Sequence, residues 1–388
     1  MASGYTFPIL NSDGSASSTV VDFEDMFVPK SNFLNAGLYG WGQNTSGQLG
    51  LQDAVHRSSP VQVGLLTNWK QVAGGIYHTA AIKTDGTLWL WGRNTYGQLG
   101  LGNIVHLSSP VQVGSLTNWK QVTGGSWHTA GIKTDGTLWQ WGNNTSGQLG
   151  LGDIVNRSSP VQVGSLTNWK LVSSGGYFTA ALKIDGTLWL CGRNGNGQLG
   201  QGDIANRSSP VQVGSLTNWK QVSVGTNHIG ATKTDGTLWI WGRNASGQLG
   251  QGDIANRSSP VQVGSLTNWK LVASGSDHTG AIKTDGTLWL WGGNIYGQLG
   301  SGNTNWLSSP VQVGLLTNWK QVGGGPNHTG AIKTDGTLWM WGLNANGQLG
   351  LGDIVNRSSP VQVGLLTNWK QVGGGGFHTG AISSPDLP

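Results

Sequence analysis

Apolar and polar positions fall into a short set of segments that recur along the chain. Pro60-Val61-Gln62-Val63 alternates apolar and polar side chains, the pattern of a strand with one covered face, and its leading proline suits a strand start or a sheet edge. Asn68-Trp69-Lys70-Gln71-Val72 follows after a Gly-x-Leu-Thr turn. His78 to Lys83 (HTAAIK) and Thr87 to Trp91 (TLWLW) flank Thr84-Asp85-Gly86, and an Asp-Gly pair between two apolar runs predicts a β-hairpin. TLWLW is apolar at nearly every position, as a strand covered on both faces should be. Residues 60 to 100 thus supply four extended segments, a small antiparallel sheet that cannot be stable alone.

The set repeats every 50 residues. W-G-x-N-x-x-G-Q-L-G closes at Gly50, Gly100, Gly150, Gly200, Gly250, Gly300 and Gly350, with Cys191 in place of Trp in the Gly200 copy and no insertion between copies. Four-stranded units of this length, repeated seven times, predict an all-β, seven-bladed β-propeller of antiparallel blades. The last repeat stops after HTGAI (His378 to Ile382), and its missing strand stands at the start of the series as Gly37-Leu38-Tyr39-Gly40-Trp41-Gly42. The N-terminal strand is therefore expected to complete the C-terminal blade and close the ring. Residues 37–388 form the propeller and residues 1–36 a non-repeating arm.

Composition agrees with this picture and narrows the chemistry. Sixty-six Gly and 10% charged residues favour turns and short strands, and 21 Trp supply core volume. The net charge of +5 is spread singly around the repeats, so no Lys/Arg cluster marks a specific nucleic-acid groove. The N-terminus lacks a Sec-type signal and no run approaches 18 apolar residues, so the expectation is a soluble protein without membrane insertion.

The string V-x-x-G-x-x-H-T-A-A-I-K-T-D-G-T-L-W-x-W-G-x-N-x-x-G-Q-L-G resembles the repeat of the regulator of chromosome condensation family, over about nine tenths of the chain. The resemblance implies a seven-bladed propeller. It implies little about activity, because the family includes a nucleotide-exchange factor, a plant photoreceptor and an inhibitor of β-lactamases on one scaffold. It also places the two x positions of G-x-x-H-T on one face near the channel mouth.

Those x positions vary among near-identical repeats. Phe377, Tyr77, Trp127 and Tyr177 follow one another around the ring, and Asn227, Asp277 and Asn327 occupy the other three blades. An aromatic arc opposite a polar arc would bind a protein loop or a surface glycan; the competing reading is loop drift after duplication. Trp306 replaces a polar residue in a second variable loop and is a further contact candidate.

Other motifs have structural explanations. Gly195-Asn196-Gly197-Gln198-Leu199-Gly200 matches G-x-G-x-x-G without a following helix to hold a pyrophosphate. The repeated His (78, 128, 228, 278, 328, 378) is interrupted by Phe178, and one per blade is too widely spaced for a single ion, so hydrogen bonding is expected and no metal. Asp53 and its equivalents read as loop caps, Asp85 and its equivalents as turn formers, and Cys191 as a packing substitution for Trp. No catalytic set or cofactor is expected.

In the arm, Val20 to Pro29 is acidic and apolar, with Phe23, Glu24, Met26 and Phe27 as candidate docking residues; the arm either docks in trans or folds back on its own propeller. T-F-P-I-L-N-S-D-G followed by D-F-E-D-M-F-V-P, running into L-Y-G-W-G-Q-N, is similar to propeller proteins of tailed phages of marine cyanobacteria. That similarity implies a virion component assembled in the host cytoplasm, anchored on the particle by its arm with the disc facing outward and its loops presented, and with other virion proteins among its partners. The alternative expectation is a cytoplasmic regulator that binds one protein through the channel-mouth face.

Overall fold

A computed structural model describes residues 37–384. Twenty-eight strands, β1 (Gly37–Gly42) to β28 (His378–Ser383), form seven four-stranded antiparallel sheets arranged as a ring. Blade 1 shows the pattern: β3 (Trp69–Gly74) lies innermost, followed outward by β4 (His78–Lys83), β5 (Leu88–Gly92) and β6 (Leu107–Gln112). The expected hairpin is present, with His78 opposite Gly92 and Ile82 opposite Leu88.

Blade limits differ from the 60-to-100 unit taken from the sequence. The Pro60 segment lies in β2 (Arg57–Gln62), which pairs with β1 of the preceding blade. Each blade therefore takes its outermost strand from the next sequence unit. The register shifts between the pairs Gly40–Val61 and Gly42–Arg57, and this irregularity accommodates Pro60 at an edge where its missing N–H is not needed. Closure follows the same rule. Blade 7 has the order β2-β1-β28-β27, with β27 spanning Trp369–Gly374, so the N-terminal side contributes two strands, not one.

Alternating strand directions define two faces. The upper face carries the β3–β4 turn (75–77) and the loop after β5 (93–106); the lower face carries the Asp85-Gly86 turn and the loop into the next blade (113–118). On the lower face the amide and hydroxyl of Thr87 both donate to the Asp85 carboxylate, which holds its pKa below the ordinary value. Lys70, Lys120, Lys170, Lys220, Lys270, Lys320 and Lys370, second in each innermost strand, are all exposed and form an axial ring at this face. The Lys83 series is instead buried, with Nζ of Lys83 3.6 Å from the Trp89 ring centroid and 5.1 Å from that of Trp69.

Blades adhere through G-Q-L-G. Gln48, at the upper end of blade 7, offers its backbone carbonyl to blade 1, where Trp91 Nε1–H donates at 2.9 Å and the Thr79 hydroxyl at 2.7 Å. Gly50 adopts φ +74°, and a Cβ there would lie 2.8 Å from Trp91 Nε1. The motif is thus an inter-blade latch. Trp41, Trp91, Trp141, Trp241, Trp291 and Trp341 occupy this position fully buried, while blade 3 has Cys191, whose thiol is pushed up to about 12 by burial.

Candidate functional site

The upper face rests on a ring of buried imidazoles. His78 Nε2 lies 3.0 Å from Thr129 Oγ1 in the next blade, and the same bridge joins His128 to Thr179, His228 to Thr279, His278 to Thr329, His328 to Thr379 and His378 to Thr79. Each Thr hydroxyl spends its one proton on a Gln carbonyl, as Thr129 does on Gln98. The hydroxyl must then accept from Nε2–H, which assigns the neutral Nε2–H tautomer. Nδ1 of His78, His128, His328 and His378 has no partner. Burial pushes His78 and His278 down to about 4; burial and, secondarily, neighbouring charges push the other four down to about 3.

One junction is built differently. Between blades 3 and 4, Phe178 stands for His, Ile229 for Thr, and Val224 for the small residue elsewhere; all three are buried in one apolar cluster. A hydrophobic contact has replaced a hydrogen bond on both sides at once. Phe178→His alone should therefore cost about 2–4 kcal/mol, since it strands an imidazole among methyl groups. Adding Ile229→Thr should recover at least half of that loss in urea unfolding. Additive losses in this cycle would show that the two positions are not coupled.

Above the ring, residue 77 and its equivalents are half-buried, and the axial cavity is lined by the residues before them, such as Ile76 and Ser126, not by the 77 series itself. Tyr77 and Trp127 have ring centroids 5.2 Å apart, Tyr77 and Phe377 6.4 Å. Tyr177, on the next blade, makes no ring contact with Trp127, so the expected four-residue arc is a stack of three with Tyr177 beside it. Asp277 is engaged: Arg243 Nη1 reaches its Oδ1 at 2.8 Å from the adjacent blade. Asn227 and Asn327 stand on the blades either side of it, half-buried. Trp306 is 52% exposed on the outer loop of blade 5 and is not part of the stack. Phe23, Glu24, Met26 and Phe27 lie outside the described residues.

The sequence reading missed a second variable position, x in W-G-x-N. The Arg93 amide donates to the Tyr77 carbonyl at 2.8 Å, and the same bond recurs on other blades, so the two variable rings are neighbours. Arg93 Cζ lies 5.3 Å from the Tyr77 centroid and 4.9 Å from that of Trp127, a cation held between two aromatic faces. Tyr96 meets Trp127 edge-on at 5.6 Å. Arg193, beside Tyr177, is exposed. Comparing the residues at 43, 93, 143, 193, 243, 293 and 343 would have revealed this ring. The axial cavity between the blades, lined largely by glycines such as Gly75 and Gly125, holds about 80 Å³, room for a few waters. The arrangement thus offers a partly exposed aromatic and cationic surface around a narrow channel.

Comparison with known proteins agrees with the fold. Residues 35–82, 85–132 and 135–182 match the regulator of chromosome condensation (RCC1) repeat, and residues 172–386 match the RCC1-like domain. A curated RCC1 domain-containing protein of Dictyostelium discoideum is 36% identical over 52 residues, 13% of this chain; the chain spans only 7% of that relative's length. Human WBSCR16 superposes with a TM-score of 0.81 at 23% identity, covering 91% of this chain and 100% of that one. Prp20p of Saccharomyces cerevisiae, described with its binding to Gsp1p and histones, gives 0.81 at 20% identity over 92% and 93%. Yeast RCC1 (Prp20) bound to Kap60 gives 0.82 at 21% over 100% and 95%. At these identities the structures share the fold. The RCC1-like domain match alone spans more than half of the sequence, and the chain belongs to that family.

Proposed function

We propose that this propeller is a non-enzymatic binding module that holds one protein partner against its upper face. The observation that carries the reading is the partly exposed stack of Phe377, Tyr77 and Trp127 with Arg93 between two of its rings. Stacked aromatics and an Arg near the centre of a face are the composition of interface hot spots, and they lose little conformational freedom on binding. Arg93 and Arg193 favour a partner loop that carries a carboxylate beside apolar side chains. Protein binding by Prp20p and yeast RCC1 points the same way at the level of the fold.

The setting we propose is a phage particle, supported by the similarity of the arm to virion propellers, with the upper face presented to other virion proteins. Mass spectrometry of purified particles should detect the chain at a constant stoichiometry, and its absence from them would favour the cytoplasmic regulator. For either setting, Tyr77→Ala with Trp127→Ala should weaken partner binding by about 30- to 1,000-fold, the scale of losing hot-spot aromatics. Asn227→Ala should leave affinity within about twofold on the same scale. Equal losses in the two variants, measured by calorimetry, would remove the stack from the interface. A glycan in place of a protein would appear as binding to immobilised sugars that the Trp127 variant loses.

A further inference from the structure

The lower face carries two features that its own fold does not use. The axial lysine ring has no ion pair among the described residues, because the Asp85-type acids are held by their own turns next to the buried Lys83 series. Outside it lie Leu65, Leu315 and Leu365, exposed at 92%, 93% and 92%. The other four repeats have Ser at this position (Ser115, Ser165, Ser215, Ser265), so the leucines are particular to three junctions. In ring order these junctions are consecutive, and two of them flank blade 7.

Blade 7 is also where the arm leaves. Gly37 pairs with Ser383 at the lower end of β1, so the chain enters β1 at the lower face, in the blade flanked by the Leu65 and Leu365 loops. The sequence just upstream has complementary chemistry. Val20, Phe23, Met26 and Phe27 alternate with Asp22, Glu24 and Asp25, and residues 1–36 hold one further acid, Asp13, against the single Lys30. Seven residues, 30–36, lie between Pro29 and Gly37, and the eight Cα steps across them can extend about 27 Å.

We propose that residues 20–29 dock in cis on this lower face, with Phe23, Met26 and Phe27 on the three leucines and the acids over the lysine ring. The inference goes beyond the partner-binding reading and does not depend on it, since that reading concerns the opposite face. Docking covers apolar surface that would otherwise meet water, and the charge pairing makes it weaken with salt.

The test is hydrogen exchange on the full chain. Amides of residues 20–28 should exchange at least tenfold more slowly in the wild type than in Leu65→Ser/Leu315→Ser/Leu365→Ser, a variant that copies residues the other repeats carry. Asp22→Asn/Glu24→Gln/Asp25→Asn should speed exchange in loops 64–66, 314–316 and 364–366 and abolish the salt dependence. Equal arm exchange in wild type and serine variant would overturn the proposal. So would protection that appears only as the protein dimerises on light scattering, since the arm would then be seated on a second copy. Tyr77→Ala/Trp127→Ala should not change arm protection, which keeps a failure here distinct from a failure of the upper-face reading.

Discussion

Shifting the protein from pH 7 to pH 5 is expected to remove on the order of 10 kcal/mol of folding free energy, with six imidazoles each contributing somewhat under about 2 kcal/mol. An unfolded-chain His takes up its proton near pH 6.5, whereas in the ring protonation waits for about pH 4 or 3. Between those limits the unfolded state binds more protons than the folded one, so stability is complete above about pH 6.5 and falls as the pH drops. Below about pH 4 the carboxylates add a second loss, because hydrogen bonds from Thr87 and its equivalents hold Asp85-type groups below their ordinary value. The two windows overlap only below about pH 4, so the loss between pH 7 and 5 belongs to the imidazoles. Urea unfolding at pH 7, 6 and 5 should show the midpoint falling at each step with little change in slope. Phe178→His/Ile229→Thr, which adds a seventh bridge, should steepen the dependence. A midpoint flat between pH 7 and 5 would mean that the imidazoles are solvated in the folded protein.

Trp41→Ala and Trp241→Ala form the second comparison. Both indoles are fully buried, donate to a Gln carbonyl at 2.9 and 3.0 Å, and meet a Trp of the innermost strand at 6.2 and 5.9 Å. Each deletion should cost about 3–5 kcal/mol, the usual range for a large buried aromatic. The manner of failure should differ. Trp241 lies in a blade of contiguous hairpins, while Trp41 lies on β1, held to β28 only by the Gly37–Ser383 to Gly42–His378 ladder. Trp41→Ala should therefore open blade 7 locally, with exchange in β1, β2, β27 and β28 accelerated ahead of global unfolding. Uniform acceleration in both variants would indicate that the ring unfolds as one unit irrespective of where it is weakened.

The elements that depend on near neighbours were legible in the sequence. His78 to Lys83 matches β4, the Asp85-Gly86 turn closes the hairpin, and the strand at Gly37 completes the last blade. Pairing between distant residues was not. A periodic sequence can be cut at any phase, and only the β1–β2 ladder reveals that Pro60 belongs to the blade before its own Trp69. For the same reason the Lys70 series read as evenly dispersed charge, although strand direction gathers it on one face. In the candidate site, variability led to Tyr77 and Trp127. Arg93 was hidden inside a motif that looked like a connector, and its role depends on the Trp127 ring of the next blade.

Strand exchange between neighbouring units bears on how such a chain changes length. A crossover that duplicates or removes 50 residues at any point leaves every remaining sheet with four correctly matched strands, since each new unit donates an outer strand backward and receives one from ahead. Hydrogen bonding within the sheets therefore does not count the blades. At the axis the innermost strands approach closely: a Cβ on Gly74 would lie 2.6 Å from the Gly375 backbone and one on Gly124 2.7 Å from that of Gly75, while Ser174, Val224 and Ser274 carry a side chain at this position. Recombination can thus offer rings of other sizes without breaking a ladder, and selection among them falls to the contacts between blades, such as the His78–Thr129 and Trp91–Gln48 bonds.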